Sequence, residues 1–253
     1  MTVRLSELVG YLDDYLQPGE FRDYCPNGLQ VEGGAEVSRL VSGVTACQDL
    51  LDEAIAWGAD AVLVHHGYFW KDEGAEIIGI KRRRIAALLN NDISLLAYHL
   101  PLDAHPEVGN NARLGQLLGL AEPRALRPAE PASVGSICTL PEPMAAADLV
   151  VRIEQLTGRR PLHIGSGPEL VREIAWCTGA AQGYMEAAVA SGADMYITGE
   201  VSEPTVHVAR EEGVHFVAAG HHATERYGVQ ALGEHLGAHF GLQHRFIDID
   251  NPV

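Results

Sequence analysis

A chain of 253 residues, 47% of them hydrophobic, has the material for one large or two modest domains with real cores. Lys plus Arg number 18 against 34 Asp plus Glu, a formal net charge of −16, so the surface repels polyanions and general nucleic-acid binding is disfavoured. The four cysteines, Cys25, Cys47, Cys138 and Cys177, lack CxxC spacing and are too few to staple this length; they read as reduced, and Cys25 as a packed thiol rather than a nucleophile.

In chain order, the opening MTVRLSELVGYLDDYLQPGE carries Glu7, Asp13 and Asp14 inside its apolar pattern, which predicts an amphipathic helix and not a signal peptide. No uncharged apolar run approaches the roughly 20 residues of a membrane span, so a cytoplasmic protein without membrane contact is expected. From Leu40, strand-like and helix-like segments alternate: LVSGVTA, QDLLDEAIAWG, DAVLVHH, KRRRIAALLNN, ISLLAYHL. The stretch Leu120 to Ser133, LAEPRALRPAEPAS, holds three prolines and reads as an interdomain crossing. A second alternating series follows: REIAWCTG, AQGYMEAAVASG, DMYITGE, PTVHVAREEG and VHFVAAGHH, then a helix from near Ala223 and a closing strand HRFIDI. The fold class expected is α/β, as two similar units with largely parallel sheets. The first spans 1–124 and is completed by 212–253, while 125–211 forms the second.

The two series align with each other, which suggests internal duplication. EAIAWGADAVLVHH (Glu53 to His66) matches AAVASGADMYITGE (Ala187 to Glu200) without gaps, sharing Gly-Ala-Asp before the strand. SLLAYHLPLD then aligns on FVAAGHHATE, setting His99 opposite His221 and Asp103 opposite Glu225.

In open α/β sheets ligands gather beyond the carboxyl ends of the strands, and there the chain puts His65-His66, His99 with Asp103, and His221 with Glu225. Adjacent residues of a strand face opposite ways, so a histidine pair can share one cavity only where the strand ends. Imidazole and carboxylate bind borderline and hard divalent ions, and three imidazoles with two carboxylates exceed what one open catalytic ion needs. Two ions per chain are expected, of zinc, iron or manganese, because an imidazole-rich set disfavours calcium and magnesium. The bland alternatives are strand-end hydrogen bonding for the histidine pair and a helix-face ion pair for each His-x-x-x-acid. His222 competes with His221 as ligand. The alignment and the spacing to Glu225 favour His221, leaving His222 as a catalytic proton carrier. His99 is placed behind Asp103 as an orienting group, and Glu200, the counterpart of His66, near the ions or in water.

The segments NGLQVEG (Asn27 to Gly33), LVHHGYFW (Leu63 to Trp70), YHLPLDAHPEVGNN (Tyr98 to Asn111), TGE (Thr198 to Glu200) and GHHATERYG (Gly220 to Gly228) together resemble the Nif-three-like dinuclear-metal-centre proteins, often labelled GTP cyclohydrolase type 2 homologues. The resemblance runs almost end to end. It implies that His65, His66, Asp103, His221 and Glu225 bind metal, and that the chain forms a toroidal homohexamer with its sites facing an internal cavity. Asn27 and Gln30 of NGLQ are candidate substrate-binding amides, or simply hold their own loop. The basic run Lys81 to Arg84 reads as a solvated helix face before a phosphate contact, and no GxGxxG or Walker loop occurs. The function expected is a metal-dependent hydrolase acting on a small nucleotide-like or phosphoester substrate. The alternative is a metal-binding regulatory or assembly protein without catalysis.

Overall fold

In the computed structural model, which describes residues 1–130 and 132–253, the apolar alternation of the strands becomes two large sheets, each buried on both faces, beside a small two-stranded antiparallel sheet of residues 3–4 with 36–37. The chain divides into unit 1, Met1–Gly109 with Gly228–Asp250, and unit 2, Asn110–Tyr227 with Asn251–Val253.

Unit 1 contains β1 (Val3–Arg4), α1 (Leu5–Leu16), β2 (Gly28–Val31), β3 (Glu36–Val37), β4 (Arg39–Thr45), α2 (Gln48–Trp57), β5 (Ala61–His66), α3 (Gly79–Asn90), β6 (Ser94–Ala97) and α4 (Leu100–Ala104). Unit 2 contains α5 (Asn110–Leu118), β7 (Arg124–Ala125), β8 (Ser136–Ala145), α6 (Ala146–Thr157), β9 (Leu162–Ile164), β10 (Leu170–Trp176), α7 (Met185–Ala190), β11 (Met195–Thr198), α8 (Glu203–Glu212) and β12 (His215–Ala218). The chain then passes through α9 (His221–Phe240), which starts in unit 2 and ends in unit 1, and finishes in unit 1 with β13 (Gln243–Phe246).

The sheet of unit 1 has the order β13-β4-β5-β6-β2, parallel except for β2. Along β5, Ala61 and Leu63 enter one core with α1 and the second half of α9, whereas Val62 and Val64 enter the other with α2 and α3. Period-2 alternation thus survives inside a doubly covered strand whose run reads as continuously apolar. Unit 2 is ordered β7-β8-β10-β11-β12-β9. Only β10-β11-β12 are parallel; β7, β8 and β9 are antiparallel, so this sheet is mixed rather than largely parallel.

The same strand order recurs in both units. Three parallel strands, β4-β5-β6 or β10-β11-β12, are flanked on the last one by an antiparallel strand that precedes them in sequence, β2 or β9. Registers agree on the first pair: Leu40 stands beside Ala61, and Ile174 beside Met195. On the next pair the expected alignment slips by one residue. Tyr98 N donates to Val64 O, and Ala219 N donates to Thr198 O, so Tyr98 matches Ala219. His99 therefore corresponds to Gly220 and Asp103 to Thr224, not to His221 and Glu225. A one-residue shift was invisible in Ala-rich strands, where neighbouring positions carry similar side chains.

The division of the chain also falls differently from the expectation. Residues 110–124 belong to unit 2, because Leu114, Leu118 and Leu120 bury themselves with Trp176 and α6 residues Leu149 and Ile153. Within the expected crossing, β7 pairs with β8 inside unit 2, and Pro131 lies outside the described residues. At the other end, residues 212–227 stay in unit 2, which contains β12 and the start of α9. Gly115 lets α5 approach the Trp176 indole, whose Nε1 donates to Asn111 O at 2.9 Å. A methyl at Gly115 would sit 2.7 Å from Trp176 Cζ2. Gly115→Ala should therefore lose about 1–3 kcal/mol by overpacking despite its better helix propensity, measured by denaturant unfolding; an unchanged or raised midpoint would show that this contact yields freely.

Candidate metal centre

β5 pairs with β4 as far as Thr45 and His66, so the strand does not stop before the histidine pair. His65 is fully buried and His66 half-buried, yet their ring centroids lie 4.6 Å apart. Both rings also approach His99, at 5.0 and 5.7 Å. Convergence follows from the end of the ladder: beyond Val64 and Ala97, β6 turns into α4, and His99 comes over the edge.

Each imidazole is held through Nδ1. His65 Nδ1–H donates to Tyr98 O at 3.0 Å, which presents Nε2 toward Asp103 Oδ1 at 3.5 Å. His66 Nδ1 meets Thr45 Oγ1 at 3.3 Å. His99 Nδ1–H donates to Asp23 Oδ1 at 2.7 Å. Two metal ligands at about 2.0–2.1 Å from a tetrahedral ion stand about 3.4 Å apart, so the His65–Asp103 separation suits a shared cation. The nitrogens of His65, His66 and His99 lie within 4.8 Å of one another, the spacing of a possible metal site; ligand atoms of Asp23, Cys25 and His99 are as close, but there the thiol is a poor ligand while protonated.

Asp23 was missed by the sequence reading, and it organises the loop. Its side chain is 4% exposed. It accepts from His99, from Asn27 Nδ2 at 2.9 Å, from Leu100 N at 2.9 Å and from Tyr24 N at 2.6 Å. Burial works against its charge, but the His99 imidazole, with the Asn27 and Leu100 donors, brings it down to about 2. No local motif announces it, since its partner is 76 residues away. Asn27 Oδ1 accepts from His99 N at 2.7 Å, so both ends of this amide serve the loop. Gln30 likewise bridges Pro26 O and both backbone groups of Tyr68. These bonds match the loop-holding alternative for the two amides. Burial, then Asp23, pushes the Cys25 thiol up to about 12, which keeps it protonated and unreactive. Lys81 of the basic run donates to Gly74 O and lies over the Phe69 ring, tying down the loop after the histidine pair.

In unit 2, α9 starts at His221 and not near Ala223, so His221 and Glu225 stand one helical turn apart on one face. His221 Nδ1–H donates to Glu200 Oε1 at 2.7 Å, and Nε2 lies 3.1 Å from Glu225 Oε2. Burial lowers the affinity of this imidazole for a proton, but Glu225 and Glu200 outweigh it and raise it to about 9. The pair of carboxylates thus demands positive charge between them, which is what a cation would supply. Carboxylate behind imidazole is also the usual way a metal-binding histidine is oriented. Gly179 (φ 69°) leaves room for Glu225, because a methyl there would collide with Glu225 Oε1. His222 is buried, and its backbone N–H donates to Val253 O at 2.9 Å.

Strand ends of an α/β sheet that carry oriented imidazoles and carboxylates have the donor set of a metal site, and sequence comparison places the chain in a family. Residues 3–252 match Duf34/NIF3 (NGG1p interacting factor 3), and the chain belongs to this family. It is 58% identical over 253 residues to a Pseudomonas aeruginosa protein called GTP cyclohydrolase 1 type 2 homolog, covering 100% of both chains. An Escherichia coli K12 protein of the same name is 52% identical over 249 residues, covering 98% of this chain and 99% of that one. Among solved structures, protein ybgI, described as of unknown function, superposes with a TM-score of 0.94 at 50% identity, over 99% of this chain and 100% of that one. TTHA1606 from Thermus thermophilus gives 0.91 at 36% identity, again over 99% and 100%.

Asp23→Asn should cost about 1–3 kcal/mol, the usual loss for a buried carboxylate hydrogen-bonded to several donors. Because the native carboxyl titrates near 2 against an ordinary 3.8, its contribution is complete above the ordinary value and lost as pH falls through about 2. The stability gap between wild type and variant, followed by thermal unfolding, should therefore shrink from pH 5 toward pH 2; a gap independent of pH would refute the assignment.

Proposed function

We propose that the chain is a metal-dependent hydrolase with two divalent ions, held by His65, His66, Asp103, His221 and Glu225, acting on a nucleotide-like or phosphoester substrate. The observation that carries this is the placing of His221 between two carboxylates, Glu200 on Nδ1 and Glu225 on Nε2. His65, fixed by Tyr98 O and facing Asp103, supplies a second oriented donor pair. The chemistry such ions supply is activation of water at neutral pH and stabilisation of charge on the attacked oxygen.

The residues do the rest. Glu200 and Tyr98 O fix ring orientation and tautomer, so that Nε2 of His221 and of His65 is the nitrogen offered. Asp23 and Asn27 hold His99 beside the His65–His66 pair. His222 is the proton carrier, imidazole being the side chain best suited to exchanging protons near neutral pH. The name shared by the relatives, GTP cyclohydrolase 1 type 2 homolog, supports a nucleotide-like substrate. The resemblance noted above supports a homohexamer. Among the described residues, no helix is long and apolar enough to cross a membrane.

Elemental analysis should approach two metals per chain. His221→Ala should lower that content, whereas His222→Ala should keep both metals and lose turnover by about 10²-fold or more, the usual size of an acid–base contribution. One metal per chain at saturation excludes the dinuclear arrangement. Stable metal loading with no turnover of any nucleotide or phosphoester would instead favour a regulatory or assembly role.

A further inference from the structure

Unit 2 contains a cleft of about 600 Å³ that the reading above does not use. Its walls combine Arg159 and Arg160 with Leu162, Glu200, Val201 and Pro252. Two features set it apart from an ordinary surface groove. The chain has only 18 basic residues against 34 acidic ones, so two adjacent guanidinium groups in one cleft oppose the prevailing charge. In addition, Arg159 Nη1 is buried and has no hydrogen-bond partner among the described residues. A buried guanidinium nitrogen without an acceptor costs about 1–3 kcal/mol or more, so folding alone does not account for it.

Its position is enforced. Gly220 adopts φ 105° at the turn into α9, and a methyl there would stand 2.5 Å from Arg159 Nη1. The guanidinium therefore lies against the backbone that delivers His221. The single acidic side chain among the six named walls, Glu200, already engages His221 Nδ1 through Oε1. Arg159 and Arg160 enter no ion pair among the described residues, so the cationic side of the cleft is available to an anion. Guanidinium groups bind phosphate through paired N–H donors better than any other side chain. Leu162, Val201 and Pro252 add an apolar wall, and the volume falls within the roughly 300–1,000 Å³ of small-molecule sites. That is room for more than a phosphate.

We propose that this cleft is a subsite for a phosphorylated small molecule with a planar apolar body, of the nucleoside monophosphate class, with the phosphate on Arg159 and Arg160. This deepens the hydrolase reading and rests on it for the link to turnover, since Glu200 joins the cleft to His221; binding can be measured without it. Arg159 is then a specificity residue, not a metal ligand.

The test is calorimetric titration of the purified full-length protein with AMP and GMP, and with adenosine and guanosine as controls, before and after EDTA treatment. Wild type should bind the monophosphates at least about tenfold more tightly than the nucleosides in both states. Arg159→Met should remove that advantage, Arg159→Lys should restore part of it, and metal content should not change. Should Arg159→Met fail to fold, Arg160→Gln and a tungstate soak of wild-type crystals replace it, with anomalous density expected at the two guanidinium groups. Equal binding of monophosphate and nucleoside, an advantage that EDTA abolishes while Arg159→Met keeps it, or tungstate found only elsewhere would each overturn the subsite. The monophosphate advantage intact in a metal-loaded wild type that turns over no nucleotide or phosphoester would fault the hydrolase reading instead.

Discussion

The constraint on which the candidate site depends is the fixing of Nδ1. His65, His66, His99 and His221 each engage that nitrogen, with Tyr98 O, Thr45 Oγ1, Asp23 and Glu200 in turn. An imidazole so held has one direction in which to present Nε2, and where the partner is a carbonyl or carboxylate, as for His65, His99 and His221, Nδ1 must carry a proton. The four partners are a backbone carbonyl, a hydroxyl and two carboxylates, so the same orientation is reached by different chemistry. What they share is position: each comes from a strand end or loop beside the strand that bears the histidine or leads into it. The parallel ladders β4-β5-β6 and β10-β11-β12 bring those ends to one edge of each sheet.

Much of this was legible in the chain. The α/β alternation, the strand ends at His66 and before His99, and the pairing of His221 with Glu225 all follow from local pattern. What was not legible came from afar. Asp23 sits in a loop with no periodicity, and only the folded backbone brings it to His99. Thr45 ends β4 and looks like any β-branched strand residue until the register sets it beside His66. The start of α9 was placed two residues late because His221 and His222 read as a turn; the helix begins at His221, and its own period then supplies the contact with Glu225.

The slip in the internal alignment has a physical meaning. Backbone bonds equate Asp103 with Thr224: Asp103 N donates to His99 O, and Thr224 N donates to Gly220 O. The repeated scaffold is therefore kept, while its polar side chains are not placed at equivalent positions. Thr224 Oγ1 accepts from Gly179 N and donates to Gly220 O, which makes it part of the turn's framework. The acid moves one residue further, to Glu225, where a longer side chain spans the helical turn to His221. Strand order survives such drift because it is set by two apolar faces. A ligand position needs only one side chain to reach one point, and several backbone positions can satisfy it.

Charge gives the same site its sensitivity. A proton on His221 answers the two carboxylates, and with the imidazole raised to about 9 it remains there at neutral pH. A folded-state value above the ordinary 6.5 stabilises the fold most at low pH, and that contribution fades as pH rises through about 9. Past that point Glu200 and Glu225 face a neutral ring in a chain of net charge −16. A divalent cation supplies the missing charge without depending on a proton, and to bind Nε2 it must displace that proton. The carboxylates that make His221 hard to deprotonate are thus the groups that would favour its exchange for a metal, so that any loading at His221 would be coupled to pH and to stability at once.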